Sequence, residues 1–357
     1  MSVKFIHTAD IHIGMKFSDS SLDVKTAALR RKEIKETFFR ILDRARDNNV
    51  DFLFIAGDLF ENEYITPGEL REIAGALAAI DPVRVIIIAG NHDPAVAGAG
   101  YARVDFPANV FIAKGMLNGF SFEEAGTDIY AAGWNERYME EPVLESIKIT
   151  DESRINILVA HCDIYSAVSR YLPADRESLK SKGFDYIALG HIHKYDSVPG
   201  DIVYPGSPEP LDFSESGRHG IVEGTIDRGV CIFSFIPFAK REFRTIKFTI
   251  TPDMTKKVII EKLKGIIIFP EDLYRILLEG VYDPELDIDE EELRNELEDS
   301  CFYAEIINRA EEDIDIERIS DENKDNVIGR FIKEMKKSGD DEALKAGLME
   351  LLRYRRG

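Results

Sequence analysis

The stretch VRVIIIAGNHDP, residues 83–94, changes character halfway along. Its first half is a β-branched apolar run, the pattern of a strand buried on both faces. Its second half presents Asn91, His92 and Asp93, three groups that are costly to bury without partners. In open α/β sheets ligands gather at the carboxyl ends of strands, so this junction predicts a polar site at a strand end.

The same junction recurs along the first half of the chain. VKFIHTA runs into Asp10 and His12, DFLFIAG into Asp58, INILVA into His161, and FDYIALG into His191 and His193. Six of the seven histidines lie at or beside these strand ends; His7, inside the first run, reads as structural, and only His219 stands elsewhere. Residues 25–47 place Ile34, Phe38, Leu42 and Ala45 on one helical face. A second helix is signalled by Thr66-Pro67-Gly68-Glu69, a capping box with Pro at the first helical position. Buried strands alternating with amphipathic helices predict an α/β layered domain.

From Ile202 the runs IVYPG, GIVEGTID, VCIFSFIPF and FRTIKFTI follow closely, predicting a more antiparallel segment. Beyond Ile250 come a short helix, the strand-like LYRILLEGVY, an acidic helix, the strand-like FYAEIIN and further helices. The expected organisation is a catalytic domain over 1–250, an accessory α+β domain over 251–320 and a helical tail over 321–357.

A chain of 357 residues with 44% hydrophobic content exceeds the usual size of a single core. It shows no secretory leader and no run of membrane-spanning length, so a cytoplasmic protein with no membrane partner is expected. Cys162, Cys231 and Cys301 are scattered and predict neither disulfides nor a thiolate metal site. The net charge of −21 opposes a polyanionic partner, but residues 281–325 carry nineteen acidic against four basic residues, a local −15. The remaining −6 leaves a phosphate-binding surface in the first half open.

A lone D-x-H, G-D pair or strand-end histidine is ordinarily a turn or a core residue. Two Asp, one Asn and four His at successive strand ends are a different matter, and they predict metal ligation. Imidazole with carboxylate and amide oxygen, without thiolate, suits Mn, Fe, Zn or Co. Seven donors exceed the needs of one tetrahedral ion, and two ions roughly 3.5–4 Å apart would use nearly all of them.

In this order D-x-H, G-D, G-N-H-D, H and G-H-x-H resemble the calcineurin-like metallophosphoesterase superfamily. The resemblance implies a four-layer αββα sandwich and two divalent ions, Mn²⁺ before Mg²⁺, Fe, Co or Zn. It implies that Asp10, His12, Asp58 and His193 hold one ion and Asp58, Asn91, His161 and His191 the other, with Asp58 as bridge. His92 then faces substrate as the catalytic acid, with Asp93 orienting it.

More narrowly, HTADIHIG, AGDLFEN, GHIHKY and VYPGSPEPLDFSESGRHGIVE look like the SbcD-type DNA double-strand-break repair nucleases. That resemblance implies a manganese-dependent 3′–5′ exonuclease and single-strand endonuclease, acting by attack of a metal-bridging hydroxide. It also implies DNA and an SbcC-type coiled-coil ATPase as partners, and it allows a homodimer. Gly206 and Ser207 are expected to offer backbone N–H groups to a phosphate. Glu61 replaces a histidine of some family members that helps present DNA, and a carboxylate there would repel phosphate. Lys16, Lys25, Arg30, Arg31 and Lys32 are candidate compensating contacts. Two other readings stand beside this one: a phosphodiesterase or phosphatase for a small nucleotide or phosphoprotein, and a non-catalytic scaffold on the same fold. The tail stripes Ile328, Phe331, Ile332, Met335 and Leu344, Leu348, Leu351, Leu352 suit either the ATPase or the chain's own small domain.

Overall fold

The computed structural model describes residues 2–356 apart from 19, 20, 200, 228, 284 and 285 and the side chains of 353, 355 and 356. Two compact units, Met1–Arg244 and Thr245–Gly357, make up the chain.

In the first unit the elements run β1 (Ser2–Thr8), α1 (Val24–Asp47), β2 (Phe52–Ala56), α2 (Pro67–Ala78), β3 (Arg84–Ile88), β4 (Val110–Ala113), β5 (Asn118–Phe122) and β6 (Thr127–Ala132). There follow β7 (Ile155–His161), α3 (Arg176–Ser181), β8 (Tyr186–Gly190), β9 (Asp196–Val198), β10 (Ile202–Tyr204), β11 (Gly220–Asp227) and β12 (Val230–Pro237). They build two six-stranded sheets, in the orders β12-β11-β1-β2-β3-β4 and β5-β6-β7-β8-β10-β9. The central strands of both are parallel, and antiparallel pairs are confined to the margins: β1 with β11, β11 with β12, β5 with β6, and β9 with β10.

The alternation of side chains along β2 shows how the layers form. Leu53 and Ile55 face a core with Ile34, Phe38 and Ile41 of α1 and Leu70, Ile73 and Leu77 of α2. Phe52, Phe54 and Ala56 face the opposite way, against Ile129, Ile157, Val159 and Ala188 of the second sheet. The outer face of that sheet, Leu158 and Leu189 among others, packs under Trp134, Leu144 and Leu179. The result is the αββα sandwich. β4, β5 and β6 escape the sequence reading because VFIA, NGFSF and TDIYAA are short and only partly buried. The two signalled helices form, and the Thr66 capping box closes in both directions, Glu69 N to Thr66 Oγ1 at 3.2 Å and Thr66 N to Glu69 Oε2 at 2.9 Å.

The second unit is built around β13 (Phe243–Ile250), α4 (Lys256–Ile266), β14 (Leu273–Tyr282), α5 (Glu290–Glu296), β15 (Tyr303–Asn308) and β16 (Glu311–Glu312). FRTIKFTI, read from sequence with the first half, is the strand that opens this unit's sheet, ordered β13-β14-β15 with β16 beside β14. Ile250, Ile259, Leu263, Ile276 and Leu293 form its core. The tail helices α6 (Ile316–Glu322), α7 (Val327–Ser338) and α8 (Asp341–Arg356) carry a cluster of their own, with Ile328, Ile332, Leu344 and Leu348 buried together. The two apolar stripes therefore cover each other. No helix among the described residues is long and apolar enough to cross a membrane.

Arg30, a candidate phosphate contact by sequence, is fully buried instead. Its guanidinium meets Glu33 at 2.7 Å and Glu209 at 2.9 Å, while Glu209 also accepts from Thr37 Oγ1 and the Lys240 backbone, both at 2.7 Å. The Glu33 contact is local to the helix, but the partner that encloses Arg30 from the other side, Glu209, lies 179 positions away and leaves no sign in the helix sequence. Removing one partner of a buried pair leaves an uncompensated charge. Glu209→Ala is therefore expected to cost about 3–5 kcal/mol, whereas Lys32→Ala, in an exposed pair with Glu36, should cost under about 1 kcal/mol. Urea unfolding followed through the single tryptophan, Trp134, buried in this unit, measures both.

Candidate metal centre

The loops that follow β1 and β2 are zipped together by backbone. Asp10 N donates to Gly57 O at 3.1 Å, Ile11 N and His12 N to Asp58 O at 2.9 and 3.0 Å, and Ile13 N to Leu59 O at 3.0 Å. Asp10, His12 and Asp58 are held at φ of 52°, 54° and 52°, a region non-glycine residues avoid. Such strain persists where surrounding bonds over-determine it, and here four of them do. Gly57 itself has φ 95°, and a Cβ on it would strike the His161 ring; one on Gly190 would strike the Ala56 carbonyl. The glycines of G-D and G-H thus let the two sheets meet at their carboxyl ends.

What meets there is a cluster of donors. Asp10 and Asp58 are buried, and two trios, Asp10 with His12 and His193, and Asp10 with Asp58 and His161, each offer ligand atoms within 4.8 Å of one another. His12 Nε2 lies 3.3 Å from His193 Nε2. His161 Nε2 lies 3.3 Å from Asp58 Oδ2 and 2.9 Å from Asn91 Oδ1, and His12 Nε2 is 3.9 Å from the same Asp58 oxygen. Asp10 is common to both trios, and Asp58 reaches the first through its 3.9 Å approach to His12. Hard carboxylate and amide oxygens with imidazole nitrogens, converging without thiolate, fit a pair of divalent cations. His191 stands apart from both trios: its ring lies beside His161, centroids 5.4 Å apart, and its backbone N–H reaches both Asp10 oxygens at 3.1 Å.

The charges are mutually dependent. Burial would raise the Asp58 carboxyl, but the charges of His161, His12 and His92 hold it far below the usual range. Burial would lower His161 and His193; Asp58 lifts the first to about 9, and Glu215 with Asp10 lifts the second to about 9. Burial and the charge of His161 lower His191 to about 4.

The expected partner of His92 requires correction. Asp93 is fully buried and does not orient the imidazole; it accepts from Gly90 N at 2.6 Å, Asp58 N at 3.2 Å, Leu59 N at 2.8 Å and Tyr101 Oη at 2.6 Å. A carboxylate with four donors around it has no capacity for His92. Glu61 takes that role, its Oε2 3.0 Å from His92 Nδ1 and its Oε1 2.8 Å from His12 Nδ1. Burial would raise Glu61, yet the bonds from His12 and His92 bring it down to about 2. Its charge is spent on two imidazoles and does not stand free to repel a phosphate. Burial opposes protonation of His92, while Glu61 and Asp58 favour it and prevail.

The Gly206-Ser207 turn is likewise not open to substrate. Ser207 N donates to His193 O at 2.9 Å, and the fully buried side chain contacts His219 Nδ1 at 2.9 Å. Of the five basic candidates, Lys16 alone lines the cleft; Arg31 is bound to Met15 O at 3.0 Å, and Lys32 is paired with Glu36. Sequence reading passed over Glu215, whose Oε1 lies 2.6 Å from His193 Nδ1. An acidic residue within the quoted SESGRHG run was the available signal. Above the donors opens a cavity of about 630 Å³, whose walls include His92, Lys16, Tyr64, Arg137, Tyr138 and Tyr171.

Fold and donor set together are of the metal-dependent phosphoesterase type, and a family profile agrees. The profile of the calcineurin-like phosphoesterase family matches residues 3–195, and the chain belongs to that family. It is 26% identical over 243 residues to the uncharacterized metallophosphoesterase YhaO of Bacillus subtilis (strain 168), a match covering 65% of this chain and 59% of that protein. A dimetal phosphatase from Danio rerio aligns in structure over 63% of this chain and 93% of its own, with 10% identity and a TM-score of 0.36.

Metal uptake is expected to release protons. His161 and His193, at about 9, carry protons at pH 7 that a cation must displace. Apparent affinity should therefore rise with pH from 7 toward 9 and then level off. Calorimetry in buffers of different ionisation enthalpy counts the protons; a pH-independent affinity with no release would contradict the assignment.

Proposed function

We propose that this chain is a two-metal-dependent DNA nuclease, a 3′–5′ exonuclease and single-strand endonuclease of double-strand-break repair, with Mn²⁺ as its preferred ion. The observation that carries the reading is the wall of the cleft. Lys16 Nζ lies 4.1 Å over the Tyr64 ring, and the Arg170 guanidinium 5.8 Å over Tyr138, whose ring is 6.1 Å from Tyr171. Aromatic faces beside cations suit unpaired bases and the phosphates between them. Three tyrosine rings, Tyr64, Tyr138 and Tyr171, line the cleft beside the donor cluster, an extended aromatic surface that favours a nucleic-acid strand over a phosphoprotein.

Divalent ions held by Asp10, His12, Asp58, Asn91, His161 and His193 would supply Lewis-acid stabilisation at the phosphoryl oxygens and acidify water. The chain's own groups do the rest. His92, with its side chain 43% exposed to the cleft, is the proton donor to the leaving oxygen, and Glu61 fixes its ring and favours the charged form. Asp93 acts at a distance from substrate, tying the Asn91-His92 turn to the backbone of Asp58 and Leu59. His191 is proposed to complete the second ion's shell by a ring rotation. An SbcC-type ATPase is the proposed partner; with the tail stripes buried against each other, it would meet the outer surface of the tail, where Val327 and Tyr354 are exposed.

The test is cleavage of end-labelled single- and double-stranded DNA with Mn²⁺, Mg²⁺ or chelator. Manganese-dependent cleavage is expected, lowered about 10²–10⁴-fold by His92→Asn and weakened in KM by Tyr138→Ala. Absence of DNA cleavage beside robust hydrolysis of a bis-aryl phosphodiester would move the substrate to a small nucleotide or phosphoprotein.

A further inference from the structure

The donor cluster depends on imidazoles presenting the correct nitrogen. His12 and His193 converge through Nε2, at 3.3 Å, and each has Nδ1 turned away from the cluster onto a carboxylate. His161 uses a backbone acceptor instead, Ala56 O, at 2.9 Å. The carboxylate behind His193 is Glu215, 22 residues further along, in a segment with no strand or helix of its own.

That segment is closed on itself. Glu215 Oε2 accepts from Leu211 N at 2.9 Å and lies 3.3 Å from Ser207 Oγ. His219 Nε2 donates to the Glu215 carbonyl at 3.0 Å, and its Nδ1 meets Ser207 Oγ at 2.9 Å. Ser207 N in turn donates to the carbonyl of His193 itself. His219, the one histidine away from the strand ends, thus serves as a brace for this loop. Both Glu215 oxygens are committed, and the one aimed at His193 accepts a single proton from Nδ1.

We propose that Glu215 is a positioning residue, which fixes His193 as the Nδ1–H tautomer and leaves Nε2 free to take a divalent cation. The proposal rests on the two-metal reading of the site. Ligating histidines backed by a carboxylate lose roughly 10–100-fold in metal affinity when that partner is removed. Only the ion that His193 contacts should feel the change. In Glu215→Gln the amide can keep the Leu211 N–H bond through its oxygen and turn its NH₂ toward His193. Nδ1 must then accept, and the proton moves to Nε2, where it blocks ligation.

The test is calorimetric titration of the full chain with Mn²⁺ and with Zn²⁺, for wild type, Glu215→Gln, Glu215→Asp and Ser207→Ala. We expect two binding steps in wild type, one of them weakened about 10–100-fold in Glu215→Gln with the other within twofold. Glu215→Asp should recover part of the loss, and Ser207→Ala, which spares the His193 contact, should keep both steps. Two unchanged steps in Glu215→Gln would overturn the role of Glu215 alone; a wild-type chain that binds fewer than two equivalents would overturn the two-metal reading and this proposal with it. Imidazole ¹⁵N spectra of the Zn²⁺-loaded wild type read the tautomer whether or not the variants fold: His193 protonated at Nδ1 supports the proposal, and protonation at Nε2 overturns it.

Discussion

Asp10 and Asp58 are two carboxylates buried almost completely at the ends of neighbouring parallel strands. Like charges placed so close in a poorly solvated interior repel strongly unless cations or donors surround them. Much of the local structure answers that demand. His191 N–H points at both oxygens of Asp10, His92 N–H at Asp58, and three imidazoles crowd the remaining directions. Left-handed backbone at both aspartates is the conformational cost of aiming the two groups at one point.

Around this pair stand three further carboxylates with separate tasks. Asp93 serves architecture, gathering N–H groups from both neighbouring strand ends together with the Tyr101 hydroxyl. Glu61 serves two imidazoles, and so ties the ring that opens into the cleft to one in the donor cluster. Glu215 serves a single imidazole from a loop. Chemistry of one kind, a carboxylate accepting N–H, is thereby spread over the strand-end backbone, the imidazole that faces the cleft and the imidazoles of the donor cluster.

How much of this was legible in the sequence follows from the range of each interaction. The donors were legible because each follows its own apolar strand, so residue type and local pattern suffice. The α/β layering was legible for the same reason. Asp93 misled because three of its four partners are backbone groups, which leave no mark in a sequence, and the histidine next to it offered a plausible substitute. Glu61 was seen but misread, since its two imidazoles lie 49 and 31 positions away. Arg30 looked like one more charge on an exposed helix face because charge in a sequence carries no statement of depth. The short strands β4 to β6 were missed for want of length, and the strand β13 was read with the first half because nothing in FRTIKFTI says which sheet it joins.

The position of β1 has a consequence for how the protein comes into being. It lies between β2 and β11, and Ser2 is paired with Asp227. β1 therefore keeps one edge unpaired until β11, near the end of the first unit, has been synthesised. The donors have the same spread: the trio of Asp10, Asp58 and His161 is complete by the end of β7, and the trio of Asp10, His12 and His193 only after β8. Pairing across so many residues is slow and leaves sheet edges exposed in the interim. The whole donor cluster is consequently assembled late, after the segment that follows β8 has been made and β11 has taken its place beside β1.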